Sequence, residues 1–327
     1  MEIFIAVLLL IVGFVLLVKG ADFFVDGASN ISKYLKVPTL IIGLTVVAFG
    51  TSLPEAAVSV TSALQNVDDV SLGNVVGSNI FNLLLILGIS ALISPIFVDK
   101  QIVKRDLPYS IIAALLLIVA VYILHLEGNP ALVRLEGFIL LIFFSLYMFI
   151  TIRNALKNQT LDTNIEKEEK NSKPTLSRPK SIIFVLLGLI GIVLGGILVT
   201  DNARKIALAL GMSEWLVGLT IVSIGTSLPE LVTSVVAAIK KENDIAVGNV
   251  VGSNIFNILF VLGISSLISP ITFTADVLFD LIFLIIGSVI ILAIAFFKKG
   301  KLNRFDGALL TLMYIGYFVY IIIRDFQ

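Results

Sequence analysis

The sequence of 327 residues contains no cysteine, one histidine and few charged residues, and each shortage argues against a class of function. Without cysteine the chain has no disulfides, no thiol nucleophile and no Cys-ligated metal. The single histidine, His125 at the edge of a predicted loop, argues against a His-based metal cluster and a Ser-His triad. Charged residues make up only 14% of the chain, so it lacks the polar exterior of a water-soluble domain.

Most of the chain is made of apolar residues. Hydrophobic residues make up 58% of the chain, and the mean hydropathy is +1.06, which predicts an all-α polytopic membrane protein. Because no basic segment or cleavage site marks a signal peptide, the N-terminal apolar run is taken as the first transmembrane helix. Windows of about 20 residues, which suit a bilayer core of about 30 Å, predict ten transmembrane helices, at 3–23, 39–63, 71–93, 107–125, 132–152, 181–201, 214–238, 246–268, 277–297 and 305–323.

The distribution of lysine and arginine sets the predicted orientation in the membrane. Of the 23 basic residues, 19 fall on one side of the predicted spans, and the basic side of a membrane protein is cytoplasmic. The protein is therefore predicted to lie in the cell (plasma) membrane, with the polar segment 153–180 as a cytoplasmic linker and both termini on the outer side. The basic residues on the opposite side are Arg134, Arg204, Lys205 and Arg324.

Two motifs recur 175 positions apart without gaps. Gly-Leu-Thr-Val-Val-Ala-Phe-Gly-Thr-Ser-Leu-Pro-Glu, at 43–55, returns at 218–230 with small changes, and Gly-Asn-Val-Val-Gly-Ser-Asn-Ile-Phe-Asn, at 73–82, returns identically at 248–257. The chain is therefore predicted to hold two repeats of five spans each, 1–152 and 181–327. An odd number of spans inverts the second repeat, and inverted repeats are typical of alternating-access transporters with a site at the membrane midplane.

The motifs place oxygen atoms at membrane depth. Pro54 and Pro229 each remove a helical N–H, which predicts broken helices 2 and 7 at the core. Glu55 and Glu230 follow directly, and a carboxylate there costs about 3 kcal/mol or more, so two in matching positions indicate a function. Carboxylate, hydroxyl, amide and carbonyl oxygens suit a hard cation such as Ca²⁺, and the absence of soft ligands disfavours zinc and copper. The other candidate ligands in the motifs are Thr51, Ser52, Ser78 and Asn82, with Thr226, Ser227, Ser253 and Asn257.

These motifs resemble the two alpha repeats of the sodium/calcium exchangers, in the cation/Ca²⁺ exchanger superfamily, and the pattern is similar to the short prokaryotic members without a large regulatory loop. The resemblance covers essentially the whole chain. It implies that Glu55 and Glu230 hold Ca²⁺ together with the backbone carbonyls of Thr51 and Thr226. It implies flanking Na⁺ sites lined by Ser52, Ser78, Ser227 and Ser253 and the carbonyls of Ala48 and Ser223. Asn82 and Asn257 would face the middle position, and spans 1 and 6 would form a sliding gate.

The resemblance implies a secondary active antiporter that exchanges Ca²⁺ for Na⁺ by alternating access, without enzymatic activity or a cofactor. Its expected partners are the two ions and membrane lipid, with no nucleic acid. Many members carry Asp at the position of Asn257, so here two fixed charges balance one Ca²⁺ or two Na⁺. The Na⁺:Ca²⁺ ratio, K⁺ dependence, physiological direction and oligomeric state stay open, a monomer being compatible with the sequence.

Other functions fit parts of the sequence. A Ca²⁺/H⁺ antiporter of the same fold would use the same glutamates as proton carriers, but Gly-Thr-Ser-Leu-Pro-Glu favours Na⁺ over H⁺. A K⁺-dependent cation/Ca²⁺ antiporter of the same fold stays open. An intramembrane hydrolase using Ser52 or Ser227 would lack a histidine or lysine base at mid-span. A channel is disfavoured by inverted repeats with broken helices. A Ca²⁺ flux driven by a Na⁺ gradient, compared with one driven by a pH gradient, separates the two antiporters.

Overall fold

The computed structural model describes residues 2–65, 68–124, 130–161, 174–212, 223–273 and 275–325, and most of them are helical. The α-helices are α1 Glu2–Leu35, α2 Thr39–Ile42, α3 Ala48–Thr51, α4 Leu53–Gln65, α5 Asp68–Ile80, α6 Leu87–Ile93, α7 Leu107–Ile118, α8 Arg134–Leu161, α9 Arg178–Ala209, α10 Ser223–Gly225, α11 Leu228–Ile239, α12 Asn243–Phe256, α13 Leu262–Ile268, α14 Ala275–Phe297 and α15 Arg304–Asp325. Wider π-helical turns adjoin several of them, at Gly43–Val47, Phe81–Ile86, Ile102–Asp106, Val119–Ile123 and Asn257–Val261.

Eight helices of the described chain are long and apolar enough to cross a membrane, or nine if the bent pair Thr39–Thr51 and Leu53–Gln65 counts as one span. The predicted class, a mostly helical polytopic membrane protein, is therefore confirmed. The predicted span 214–238 is described only in part, as α10 and α11. His125, residues 213–222 and the linker residues 162–173 lie outside the described residues.

The first and sixth predicted spans are longer helices than hydropathy indicates. The sequence predicts 3–23 and 181–201, whereas α1 runs to Leu35 and α9 covers Arg178–Ala209. A charged residue ends an apolar window but does not end a helix, and α1 continues until the turn before Pro38. The 34 residues of α1 rise about 50 Å, more than the roughly 30 Å of a bilayer core.

Helices α1 and α9 lie side by side and approach closely through glycine. A Cβ atom built on Gly188 would lie 2.6 Å from the backbone nitrogen of Phe24 and 2.7 Å from the carbonyl oxygen of Gly20. Gly13 and Gly195 make a similar contact one heptad along the pair. Small residues let helix backbones meet in this way inside membranes, so the two helices form one tightly packed unit.

Two spans lie at the centre of the molecule. Buried residues make up 72% of the apolar window of Leu72–Ile93 and 94% of that of Asn243–Ile268, against at most 44% in the other spanning helices. These two spans carry the identical Gly-Asn-Val-Val-Gly-Ser-Asn-Ile-Phe-Asn motifs. The Thr39–Thr51 segment packs on the second of them where Gly43 faces Gly248. The repeated motifs are therefore brought together in the core.

Two short antiparallel ribbons join loops of the first repeat to loops of the second. Strand β1, Ile96–Phe97, pairs with β4, Lys301–Leu302, and strand β2, Ala131–Leu132, pairs with β3, Ile271–Thr272. Each ribbon fixes a loop from one repeat at the same end of the molecule as a loop from the other.

Candidate functional site

The serine of each Gly-Thr-Ser-Leu-Pro-Glu motif has the same backbone conformation. Ser52 follows α3 with φ −85° and ψ 8°, and Ser227 precedes α11 with φ −91° and ψ 5°. These angles leave the regular helical region, and at Ser52 the chain bends by 47°. The proline two residues later stands in the first turn of the next helix, where a missing N–H is tolerated. The glutamate therefore also lies in that first turn.

The two glutamates are linked through the serines of opposite repeats. Glu55 and Glu230 are both fully buried. Ser52 Oγ donates to Glu230 Oε1 at 2.9 Å, and Ser227 Oγ donates to Glu55 Oε1 at 3.1 Å. Glu55 also lies within electrostatic reach of Glu230. Among the described residues no lysine or arginine forms an ion pair with either carboxylate, so the site holds two acidic groups without a protein counter-ion.

The serines of the following span are placed differently in the two repeats. Ser78 Oγ lies 3.0 Å from Ser227 Oγ. Because a carboxylate only accepts, the hydroxyl proton of Ser227 goes to Glu55, and Ser78 donates to Ser227. Ser253, the counterpart of Ser78, instead donates a long 3.5 Å bond to the carbonyl oxygen of Ala48. The two-fold arrangement around the carboxylates is therefore not exact at these serines.

Asn82 and Asn257 lie in π-helical turns, at the second residue of Phe81–Ile86 and the first of Asn257–Val261. Such turns are frequent at functional sites in helices. Both asparagines are fully buried, and each amide nitrogen has a partner. Asn82 Nδ2 donates to Asn254 Oδ1, and Asn257 Nδ2 donates to Asn79 Oδ1, both at 3.2 Å. The Oδ1 atom of each asparagine therefore faces away from the partner of its Nδ2 atom.

Within the described part of the chain, buried oxygens without a hydrogen-bond partner occur at matching places in the two repeats. Four of them are Glu55 Oε2, Glu230 Oε2, Asn82 Oδ1 and Asn257 Oδ1. A buried polar atom left unpaired costs about 1–3 kcal/mol, and more when it is charged. Oxygens without donors are the ligands that a hard cation takes. Among the described residues no three His, Cys, Asp or Glu side chains are grouped so that they could hold a metal ion, so a cation at the two carboxylates would need neutral oxygens as further ligands.

The two threonines that the sequence also singles out face asparagines. Thr51 Oγ1 donates to Asn249 Oδ1 at 2.9 Å, and Thr226 Oγ1 donates to Asn74 Oδ1 at 3.3 Å. Each hydroxyl proton is therefore engaged, although a donating hydroxyl still has lone pairs, so both the hydroxyl oxygen and the backbone carbonyl of each threonine could face an ion.

The two residues predicted to offer only backbone carbonyls lie at the same bends. Ala48 is buried at the start of α3, and its carbonyl accepts from Ser52 N at 3.1 Å. Ser223 begins α10, and its side chain lies outside the described part of the structure.

Asn74 and Asn249 are functional candidates that the sequence reasoning missed. Asn74 Nδ2 donates to the carbonyl oxygen of Glu55 at 3.1 Å and to Ser59 Oγ at 3.0 Å. Asn249 Nδ2 makes the matching bonds to Glu230 O at 3.4 Å and Ser234 Oγ at 2.9 Å. Each asparagine thus ties the glutamate backbone of its own repeat to the threonine of the other. The available signal was the identical recurrence of the whole ten-residue motif.

The chain matches the family described as "Sodium/calcium exchanger protein" over residues 5–153 and 180–323. It is 33% identical over 339 residues to Sodium/calcium exchanger MaX1 of Methanosarcina acetivorans, covering 95% of this chain and 97% of that protein. It is 40% identical over 267 residues to Inner membrane protein YrbG of Escherichia coli, covering 81% and 80%. Its fold matches a solved structure of the sodium-calcium exchanger NCX_Mj with a TM-score of 0.82 and 34% identity, covering 99% of this chain and 100% of that one.

Proposed function

The chain belongs to the sodium/calcium exchanger protein family, and on that premise we propose that it is a secondary active antiporter exchanging Ca²⁺ for Na⁺ across the cell membrane by alternating access. The observation that carries the proposal is the set of four buried, unpartnered oxygens, two from glutamates and two from asparagines. Their charge and hardness suit Ca²⁺ and Na⁺ and no softer metal.

Charge balance explains the exchange. Two ionised carboxylates without a protein counter-ion are neutralised by one Ca²⁺ or by two Na⁺. Because Glu55 and Glu230 serve both ions, occupancy by one ion excludes the other. A site with bare carboxylates is costly to move past an apolar barrier, whereas a loaded site is not. The empty carrier is therefore held back, and the two ion fluxes are coupled.

The ligand assignment is part of the proposal. Glu55 and Glu230 hold Ca²⁺ with the carbonyls of Thr51 and Thr226, and Asn82 and Asn257 face the middle position. The flanking Na⁺ positions are lined by Ser52, Ser78, Ser227 and Ser253 and the carbonyls of Ala48 and Ser223. The direct bonds between the motif serines and the opposite glutamates support this division, since a serine oxygen there adjoins both positions.

We also propose two inverted five-helix repeats, 1–152 and 181–327, with ten spans and breaks in helices 2 and 7. Support comes from the pairing of contacts 175 positions apart. The bond from Ser52 to Glu230 has its mate in the bond from Ser227 to Glu55, and the bond from Thr51 to Asn249 has its mate in that from Thr226 to Asn74.

The proposed orientation places both termini outside and the linker 153–180 in the cytoplasm. Lys240 forms ion pairs with Asp22 at 2.5 Å and Asp26 at 2.7 Å, which joins segments that the lysine and arginine count assigns to one side. The ribbon of β1 and β4 likewise joins two loops of the lysine-rich side. Accessibility of single cysteines introduced into this cysteine-free chain would test the assignment.

The coupling ion is tested by flux. The purified protein is reconstituted into liposomes, the membrane potential is clamped, and ⁴⁵Ca²⁺ uptake is followed under imposed Na⁺, K⁺ or H⁺ gradients. We expect an outward Na⁺ gradient to drive uptake and a pH gradient alone to leave uptake at the level of protein-free liposomes. Uptake driven equally well by a pH gradient would contradict Na⁺ coupling and favour the Ca²⁺/H⁺ alternative.

A second prediction concerns Asn249. We expect Asn249→Ala to raise the Ca²⁺ concentration for half-maximal uptake about tenfold, because Thr51, Ser234 and the Glu230 carbonyl lose a shared partner. Asn303→Ala is the matched control, since Asn303 accepts from the backbone nitrogens of Phe305 and Asp306 at a loop. The control should keep the wild-type half-maximal concentration. Equal shifts in the two variants would mean that Asn249 acts on stability alone.

A further inference from the structure

Asn79 and Asn254 form a reciprocal pair at the centre of the molecule, outside the ligand set proposed above. They are counterparts in the two repeats, on α5 and α12, and both are fully buried. Asn79 Nδ2 donates to the backbone carbonyl of Asn254 at 3.3 Å, and Asn254 Nδ2 donates to the backbone carbonyl of Asn79 at 3.0 Å. The pair therefore joins the two repeats directly.

These bonds fix which way each amide faces. A backbone carbonyl can only accept, so the NH₂ group of Asn79 must point to Asn254 O, and the same holds in reverse. The Oδ1 atom of each then faces the opposite direction. Asn79 Oδ1 accepts from Asn257 Nδ2, and Asn254 Oδ1 accepts from Asn82 Nδ2.

The amide orientations of Asn254 and Asn79 in turn determine those of Asn82 and Asn257. Since an acceptor occupies the nitrogen side of each amide, its oxygen must lie on the other side, where both Oδ1 atoms are buried without a partner. An asparagine amide has nearly the same shape in both orientations, and only its hydrogen-bond network selects one. Rotated by half a turn, Asn82 or Asn257 would present an NH₂ group in place of an oxygen.

We propose that Asn79 and Asn254 are positioning residues that set the polarity of the Asn257 and Asn82 amides, so that oxygen and not NH₂ faces the transported cation. The inference rests on the proposed function, because it requires a cation at the Asn82 and Asn257 oxygens. The assignments cross between repeats: Asn79 orients Asn257, and Asn254 orients Asn82. Each asparagine of the site is thus directed by the repeat to which it does not belong.

The crossed assignment allows a rescue test. Asn254→Leu removes the acceptor that orients Asn82 but leaves the backbone carbonyl of residue 254, and therefore the orientation of Asn79 and Asn257. We expect it to raise the Ca²⁺ concentration for half-maximal ⁴⁵Ca²⁺ uptake about tenfold. Adding Asn82→Asp should restore that concentration to within about threefold of wild type, because a carboxylate presents an oxygen in either orientation.

The control places an aspartate at Asn257, whose amide is not oriented by Asn254. Asn257→Asp added to Asn254→Leu contributes the same extra charge but leaves Asn82 unoriented, so the defect should persist. The mirror set, Asn79→Leu with Asn257→Asp or with Asn82→Asp, should show the opposite preference. Equal rescue by both aspartates in both backgrounds would reduce the effect to added charge and overturn the proposal, as would leucine variants with wild-type Ca²⁺ dependence.

Two further measurements keep the outcome interpretable. The rise in melting temperature on adding Ca²⁺ in detergent reports binding without transport, and it should follow the same pattern of rescue. If a leucine variant is not monodisperse on size exclusion, Asn79→Ala or Asn254→Ala replaces it, since alanine adds no bulk. Wild-type protein without Ca²⁺ binding or flux would refute the proposed function itself, whereas a working wild type without pair-specific rescue would refute only the positioning role.

Discussion

Glu55→Gln and Glu230→Gln are each expected to abolish Na⁺-driven Ca²⁺ uptake. Glutamine keeps the size of the side chain and an oxygen that can accept from Ser227 or Ser52, but it removes one of the two buried negative charges. With one carboxylate gone, a site loaded with Ca²⁺ keeps a net positive charge at membrane depth, which costs about 3 kcal/mol, so the initial rate should fall about 100-fold or more. The measurement is ⁴⁵Ca²⁺ uptake into proteoliposomes under an outward Na⁺ gradient.

Glu136→Gln provides the matched control for this prediction. Glu136 is also buried and also stands in the first turn of a helix, α8, but it accepts from the backbone nitrogen of Val133 at 3.0 Å, away from the repeated motifs. A glutamine oxygen can keep that bond, so uptake should stay near the wild-type rate. Near-normal uptake in either Glu55→Gln or Glu230→Gln would contradict the assignment of the two glutamates as ligands of the transported ion.

The sequence contained enough to predict the family, which is confirmed, and to single out the residues of the candidate site, which stay a prediction. A carboxylate after proline at membrane depth is costly, and its recurrence 175 positions away pointed to Glu55 and Glu230 together. The resemblance to the sodium/calcium exchangers is confirmed by the family match over 5–153 and 180–323. Composition also predicted a helical membrane protein, because that depends on the total of apolar residues and not on their partners.

Contacts between the repeats could not be predicted from the repeats themselves. Equivalent positions show that Ser52 and Ser227 have the same role, but not that each serine binds the glutamate of the other repeat. The contacts of Asn79 and Asn254 were hidden for the same reason, since their partners lie 172, 175 and 178 residues away along the chain. Strands of two residues, such as β1 and β4, are too short to show the alternation of apolar and polar residues from which a strand is predicted.

Gly188→Leu is expected to unfold or aggregate the protein, and this prediction tests whether α1 and α9 behave as one unit. The nearest atoms to a new Cβ are the backbone atoms of Gly20 and Phe24, which cannot move aside as a flexible side chain would. Overpacking a core typically costs about 1–3 kcal/mol, and a larger side chain against backbone should exceed that range. The melting temperature in detergent should fall by about 5 °C or more, or no monodisperse protein should be recovered.

Gly316→Leu is the matched control, because Gly316 also lies in a membrane-spanning helix, α15, but a Cβ there meets no atom within 4 Å. Leucine is a better helix former than glycine by about 0.5–1 kcal/mol, so this variant should be at least as stable as wild type. If Gly188→Leu were as stable as Gly316→Leu, the close contact of α1 with α9 would not exist in the folded protein. The gate that the resemblance implies for spans 1 and 6 would then have to consist of two independent helices, since only a tightly packed pair can carry the movement of one helix directly to the other.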